Sequence, residues 1–336
     1  MTRTTRALVA LLAVVLLGGS LVAAGCTKAA TSNSASSAAA APPLPIKIGT
    51  LPTEDSLPLW VAQSRGYFAT EGIPNVEIVE FQSAQERDAA FASGAIDAYM
   101  GDIIAAADLQ AGGKPNTIRT VMLGADPSQG RFGIAVAPKS TVTTLTELAN
   151  VPVGTSSATI QEYVLDGLMS EAGVPTSAVK VEEVKKVPVR FQLLMAGKLK
   201  AAALPEPFLS LAEQGGARIV ASDTSSTVNL SQTVLVFSNA YLGKAGGAKT
   251  EQGVLKAWDV AVNDINKDPS AYRAVLVDKA KLPKSLASSY VVQTYPTHQL
   301  PAQADVEAVL AWMRDKGYLK ADVTYQDLVG QAQSGQ

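Results

Sequence analysis

The chain is poor in the side chains on which most catalytic and metal centres are built. It has one cysteine, Cys26, and one histidine, His298. A single thiol excludes a disulfide framework and a cysteine-based zinc site. A Ser-His-Asp triad or a histidine metal site would have to use His298, which lies in YPTHQLP, outside the turns singled out below. Its plainer reading is a loop residue. Charged residues make up 17% of the chain, and 28 Lys and Arg face 30 Asp and Glu, for a net charge of −2. No basic stripe is present, which argues against a nucleic-acid partner. No Walker loop and no G-x-G-x-x-G after a strand occur, so nucleotide-phosphate chemistry lacks its usual cradle. After the N-terminal segment no apolar stretch reaches the ~18 residues of a membrane span.

What is present begins at that N-terminus. Arg3 and Arg6 precede the apolar run ALVALLAVVLL, Ala7 to Leu17, which is too short to span a bilayer. Small residues then lead through LVAAGC to Cys26. Residues 1–25 resemble a bacterial lipoprotein signal peptide, with Ala23 where a leucine is usual. The resemblance implies a diacylated Cys26 as the mature N-terminus. Residues 26–45 carry that cysteine and TKAATSNSASSAAAAPPLP, a flexible tether rich in Ala, Ser and Thr. About 19 such residues reach roughly 25 Å, enough to hold a globule off a membrane.

The body from about residue 46 to 334 says one thing twice. GAIDAYMGDIIAAADLQAGG (94–113) is matched by GKLKAAALPEPFLSLAEQGG (197–216), 103 positions on. Strand and helix patterns alternate ahead of both. IKIGTL (46–51), VEIVEF (76–81) and AIDAYM read as strands, separated by helices at 57–72 and 84–94 and followed by one from Asp102 to Gly113. In the second copy VPVGTS (151–156), VKVEEV (179–184) and LKAAAL (199–204) are the strands, with helices at 160–175, 189–197 and 206–216. This is β-α-β-α-β-α twice over, the pattern of parallel sheets with crossover helices. A period near 100 residues is domain-sized, too long for a solenoid.

No third copy follows. ARIVASD (217–223) and TVLVFSNAYL (233–242) are strand-like, and helical patterns occupy roughly 248–267, 270–280, 284–292, 302–316 and 324–333. The expected fold is α/β, with two similar lobes around a ligand cleft. Lobe 1 comprises 46–132 and 238–334, and lobe 2 comprises 133–237. Strands at 132–138 and 233–238 cross between them as a two-strand hinge.

Ligands of open α/β sheets bind beyond the carboxyl ends of the strands, where helix N-termini offer free N–H groups. The strand-to-helix turns are therefore the candidate site. Lobe 1 contributes Thr53, Glu54, Asp55, Ser56, Gln82, Ser83, Gly101 and Asp102. Lobe 2 contributes Ser156, Ser157, Thr159 and Glu206. Ser83, Asp102, Ser157 and Thr159 have helix capping as an alternative role. Trp60, Phe132, Tyr163 and Phe208 are positioned to stack on a flat ligand or to pack in the core. In these turns Glu54, Asp55, Asp102 and Glu206 outnumber Lys185 and Lys186, which hints at a neutral, zwitterionic or partly cationic ligand. Arg87, Arg131 and Arg190 lie close in sequence, and backbone N–H groups alone can hold an anion.

IKIGTLPTEDSLPLWVAQSRGYFATEGI (46–73), FQSAQERDAAFASGAIDAYMGD (81–102), LPEPF (204–208) and the lipoprotein start together resemble substrate-binding proteins of ABC transporters. The group is the one that includes aliphatic-sulfonate, nitrate and thiamine-pyrimidine binding proteins. The second copy carries Lys200 where the G-x-x-D-A pattern has Asp. The resemblance implies a type II periplasmic-binding-protein fold, closure on a small molecule and delivery to a permease with a cytoplasmic ATPase. It implies no cofactor, no catalytic residue and no metal. The expected protein is a monomer, lipid-anchored on the extracytoplasmic face of the cell membrane. Two other readings stand beside it: an enzyme of cofactor biosynthesis on the same fold, and a surface sensor that presents ligand to a membrane receptor.

Overall fold

Residues 41–73 and 75–330 are described by a computed structural model. The expected signal peptide, Cys26 and most of the expected tether lie outside the described residues. Short runs rich in β-branched and small residues form ten strands among those described: β1 (Ile46–Thr50), β2 (Val76–Glu80), β3 (Ala98–Asp102), β4 (Asn116–Leu123), β5 (Phe132–Val136), β6 (Pro152–Thr155), β7 (Lys180–Glu183), β8 (Ala201–Pro205), β9 (Arg218–Ser222) and β10 (Thr233–Ser238). They make two five-stranded sheets of one topology, β2-β1-β3-β10-β4 and β7-β6-β8-β5-β9. In each, the first three strands run parallel, as the crossover pattern requires.

The fourth strand of each sheet departs from the sequence reading. β10 pairs antiparallel with β3 and β4, and β5 pairs antiparallel with β8 and β9. Both sheets are therefore mixed. The strands at 132–138 and 233–238, expected as crossings, are interior members of a sheet. The chain passes from one sheet to the other ahead of them, through residues 124–131 and 223–232. β10 belongs with the first sheet, so the boundary expected at 237–238 falls before 233. The repeat is also longer than it reads: each copy has five strands and places its fifth in the other copy's sheet. β4 carries no clear strand pattern in the sequence because Thr117, Arg119 and Thr120 interrupt its apolar run. Arg119 is accommodated by Glu251, whose Oε1 accepts from its Nε at 2.5 Å.

Side chains alternate across both sheets with the strand period of two. Ala98, Met100, Leu235 and Phe237 face one core, and Tyr99, Val234 and Val236 the other. In the second sheet Ala201 and Ala203 face one core, and Ala202 and Leu204 the opposite one. The long helix Gly247–Lys267 buries Val254, Trp258, Ala261 and Ile265 against the first sheet's helix Leu57–Arg65. Helix Gln303–Asp315 packs on helix Ile103–Ala111. The C-terminal helices thus complete the first sheet's layers.

Two boundaries moved. The helix expected over 57–72 breaks at Gly66, whose φ of 76° is left-handed and ends Leu57–Arg65. The helix expected over 284–292 stops at Ala287. The irregular chain that follows brings Tyr290, Gln293 and Tyr295 to Glu54.

Candidate ligand-binding cleft

Strand direction decides what reaches the cleft. β3 and β8 end there, at Asp102 and Pro205. β10 and β5 run antiparallel to them and so begin there, with Thr233 opposite Asp102 and Phe132 opposite Pro205. Each crossing therefore delivers one strand's first residue to the other lobe's ligand edge. Around these four positions lies a cavity of about 20 Å³. The first sheet lines it with Thr53, Asp55, Arg87, Gly101, Asp102 and Thr233, and the second with Phe132, Thr159 and Gln161. That volume fits roughly one water. Beside it, Glu54, Arg131 and Glu206 line a smaller cavity of about 10 Å³. The cleft opens on two sides. One groove, of about 490 Å³, runs past Arg131, Glu206, Tyr290 and Gln293. The other, of about 370 Å³, runs past Gln82, Phe191, Phe208 and Lys281.

Both lobes carry one buried arginine under this edge. Arg87 Nη1 donates to Met100 O and Arg190 Nη1 to Ala203 O, each at 2.9 Å and each across thirteen residues. The two side chains are almost fully buried. Arg87 is also clasped by Asp88, whose Oδ1 accepts from Nε at 2.9 Å and Nη2 at 2.7 Å. Arg190 has neutral partners: Val184 O and the Gln161 side-chain oxygen complete its bonds. Burial lowers the Arg190 guanidinium to about 9.

The carboxyl groups of the cleft are buried and perturbed. Burial raises Glu54 to about 8, with the Glu206 charge adding to it. Tyr290 OH donates to Glu54 Oε2 at 2.5 Å, and Gln293 N donates to Oε1 at 2.8 Å. Burial raises Asp55 to about 6, opposed by the Thr53 hydroxyl, which donates at 2.5 Å. Asp102 and Glu206 are raised for the same reason, and Arg131 opposes the rise at Glu206 from 2.8 Å. Such shifts concentrate where binding or chemistry occurs.

The remaining residues expected at the site separate into groups. Ser83 and Asp102 do cap helices: Ser83 Oγ accepts from Glu86 N, and Asp102 Oδ1 from Ala105 N. Thr159 Oγ1 donates to Ser156 O while also lining the central cavity. Ser56 ties its own turn, donating to Leu51 O. Ser157 bonds Glu183, and Gln82 bonds Glu80 at the edge of one groove. Tyr163 stands edge-on to Trp312 at 5.2 Å between ring centres. Phe208 is core-packed with one face to a groove. Trp60 does not reach the cleft. It is 2% exposed in the core of the first sheet, because its helix turns that face toward Gly247–Lys267. Arg87, Arg131, Gln161, Thr233, Tyr290 and Gln293 were absent from the expected set. The helical offset from Ser83 to Arg87 was a usable signal; nothing local marks Tyr290 or Gln293.

The lobes touch around the cleft. Glu54 N donates to Glu206 O at 3.2 Å, Gln85 Nε2 to Ser156 Oγ at 2.7 Å, and Lys186 pairs with Glu86 at 2.8 Å. On one wall Lys316 Nζ bridges Glu162 and Asp166 at 2.8 and 2.9 Å, Trp312 Nε1 donates to Asp166 at 2.9 Å, and Tyr318 OH donates to Glu162 at 2.9 Å.

A family model described as NMT1-like matches residues 39–277, most of the chain. The chain belongs to the NMT1-like family. No curated protein matches it significantly. Solved structures share its fold at low identity. The alkanesulfonate-binding protein SsuA from Xanthomonas axonopodis pv. citri, bound to MOPS, is 19% identical with a TM-score of 0.70, over 84% of this chain and 97% of that one. The periplasmic aliphatic sulphonate binding protein SsuA from Escherichia coli is 20% identical with a TM-score of 0.69, over 88% and 94%. The periplasmic nitrate-binding protein NrtA from Synechocystis PCC 6803 is 15% identical with a TM-score of 0.70, over 84% of each. The fold of this NMT1-like chain is thus that of periplasmic binding proteins, two α/β lobes about a cleft.

Proposed function

We propose that this NMT1-like protein is an extracytoplasmic solute-binding lipoprotein. It captures a small organic molecule between its lobes and delivers it to an ABC importer made of a permease and a cytoplasmic ATPase. The observation that carries this reading is the narrow central cavity lined from both sheets. Its roughly one-water volume admits a solute only when the lobes part, and a solute seated there bonds both lobes at once. Such a ligand binds the closed form better than the open one, and that difference drives closure. Thr53, Asp55, Gly101, Asp102, Phe132 and Thr159 are the residues placed to contact it, with Arg87, Gln161 and Thr233 added. The segments at 124–131 and 223–232 serve as the hinge. Cys26 supplies the lipid anchor and residues 27–45 the reach to the permease. A catalytic role finds little support in the cleft: the single imidazole, His298, is exposed, bonds Asp259 and lines none of the cavities above.

The decisive experiment is small-angle scattering on the purified protein, with mass spectrometry of the solutes it carries. A carried or added solute bound one to one, returned unchanged and accompanied by compaction, is expected. A solute turned over to product, or bound with no compaction at saturation, would sink the reading.

A further inference from the structure

We propose that the cleft selects an organic cation, a protonated amine or amidine whose N–H groups are held by Asp55 and Asp102. This rests on the solute-binding reading above and adds the charge of the solute. The first support is a count of what is already paired. Arg87 spends its guanidinium on Asp88 and Met100 O. Arg131 is paired with Glu206 and Glu213. Arg190 lies behind Gln161 and donates to two backbone carbonyls and that amide. Asp55 and Asp102, each 5% exposed, line the central cavity and have no cation within 4 Å among the described residues. Arg87 lines the same cavity and its charge reaches both carboxylates, but its direct ion pair is with Asp88, so Asp55 and Asp102 leave the cavity with an excess of buried negative charge.

A second, independent observation lies beside them. Thr233 Oγ1 is buried, makes no hydrogen bond of good geometry although it stands near enough to Asp55 to hold that carboxyl down, and lines the same cavity opposite Asp102 in the strand register. A buried hydroxyl left unpaired is a group to which a ligand is expected to bond. Phe132 supplies an aromatic surface on the opposing lobe, suited to a cation.

The first lobe's helix ends that an oxyanion would use are capped by side chains. Asp102 accepts from Ala105 N and Ser83 from Glu86 N, while in the second lobe the Glu162 carboxylate stands over the turn ahead of its helix, accepting from Ala158 N. An anion entering here meets two carboxylates, the capped helix ends of the first lobe and guanidiniums already bonded elsewhere. The cavity is thus opposite in character to what a sulfonate or nitrate needs.

The test is equilibrium dialysis of the purified protein against two equimolar pools, read by mass spectrometry. One pool holds organic amines, amidines and guanidines; the other holds alkanesulfonates, carboxylates and nitrate. Retention from the cation pool alone is expected. Asp102→Asn keeps a capping oxygen for Ala105 N, so it should leave the melting temperature unchanged while weakening the retained cation about tenfold to a hundredfold. Asp55→Asn should weaken it similarly. Retention of an anion, or a cation indifferent to both substitutions, overturns the charge assignment and leaves solute binding standing. Retention of nothing from either pool, with no compaction in scattering, overturns both.

Discussion

The two lobes are built alike and finished differently. Under the cleft edge Arg87 and Arg190 occupy equivalent places and donate to equivalent carbonyls, Met100 O and Ala203 O. Gly94 and Gly197 stop the helices that carry them, both with left-handed φ. At the edge itself the likeness ends. The first lobe presents Glu54, Asp55 and Asp102. The second presents Ser156, Thr159 and Gln161, with Glu206 already paired to Arg131. The first lobe's arginine has a carboxylate partner, and the second's has carbonyls and an amide. The repeat is kept where it holds strands in place and lost at the side chains proposed to meet a solute. This is the division expected when a scaffold is duplicated and its loops are free to change.

The arginine pair offers the largest test of that division. Arg87→Ala leaves the Asp88 carboxylate and Met100 O without their donor, at an expected cost of about 3–5 kcal/mol. Arg190→Ala removes hydrogen bonds to neutral groups only, at about 2–4 kcal/mol. Urea unfolding of both variants would measure the gap, and a larger loss at Arg190 would contradict the pairing described.

Glu54 comes next. Its carboxyl titrates at about 8 in the folded chain against an ordinary value of 4.5. The folded state therefore keeps a proton that the unfolded state releases between those values. Stability from this group is full below about pH 4.5 and is lost as the pH rises through 8. Glu54→Gln should flatten that decline by about 2–4 kcal/mol, read as melting temperature from pH 5 to 9. An unchanged slope would mean that Glu206, its neighbour across the lobes, takes the proton in its place.

The smallest effect expected concerns the wall between the lobes. Lys316→Met leaves Glu162 and Asp166 without their shared cation and should favour the open form by about 1–3 kcal/mol. A larger radius of gyration in the solute-free variant is the expected sign. No change would show that the rim contacts at Glu206 and Ser156 suffice for closure.

Much of this was legible in advance because it is local. Helix and strand periods, the glycine stops and the doubling at an offset of 103 all lie in contiguous sequence. So do the acidic turns, and Asp55 and Asp102 fall where the turns placed them. Trp60 shows the limit: its spacing placed it on a helix near the cleft, but only the arrival of helix Gly247–Lys267 decided which way it faced. Tyr290 and Gln293 reach Glu54 from more than two hundred residues away, along a segment with no regular pattern to read.

The sequence by itself determined the elements, their order, their duplication and the acidic character of one edge, because each depends on residues a few positions apart. The tertiary structure alone decided that β5 and β10 exchange sheets and run antiparallel. It also decided that Thr233 and Phe132 thereby stand at the ligand edge, and which carboxylates find a cation. Those outcomes depend on which strand edges and charges remain unpaired once the rest of the chain has packed, and no local pattern encodes that.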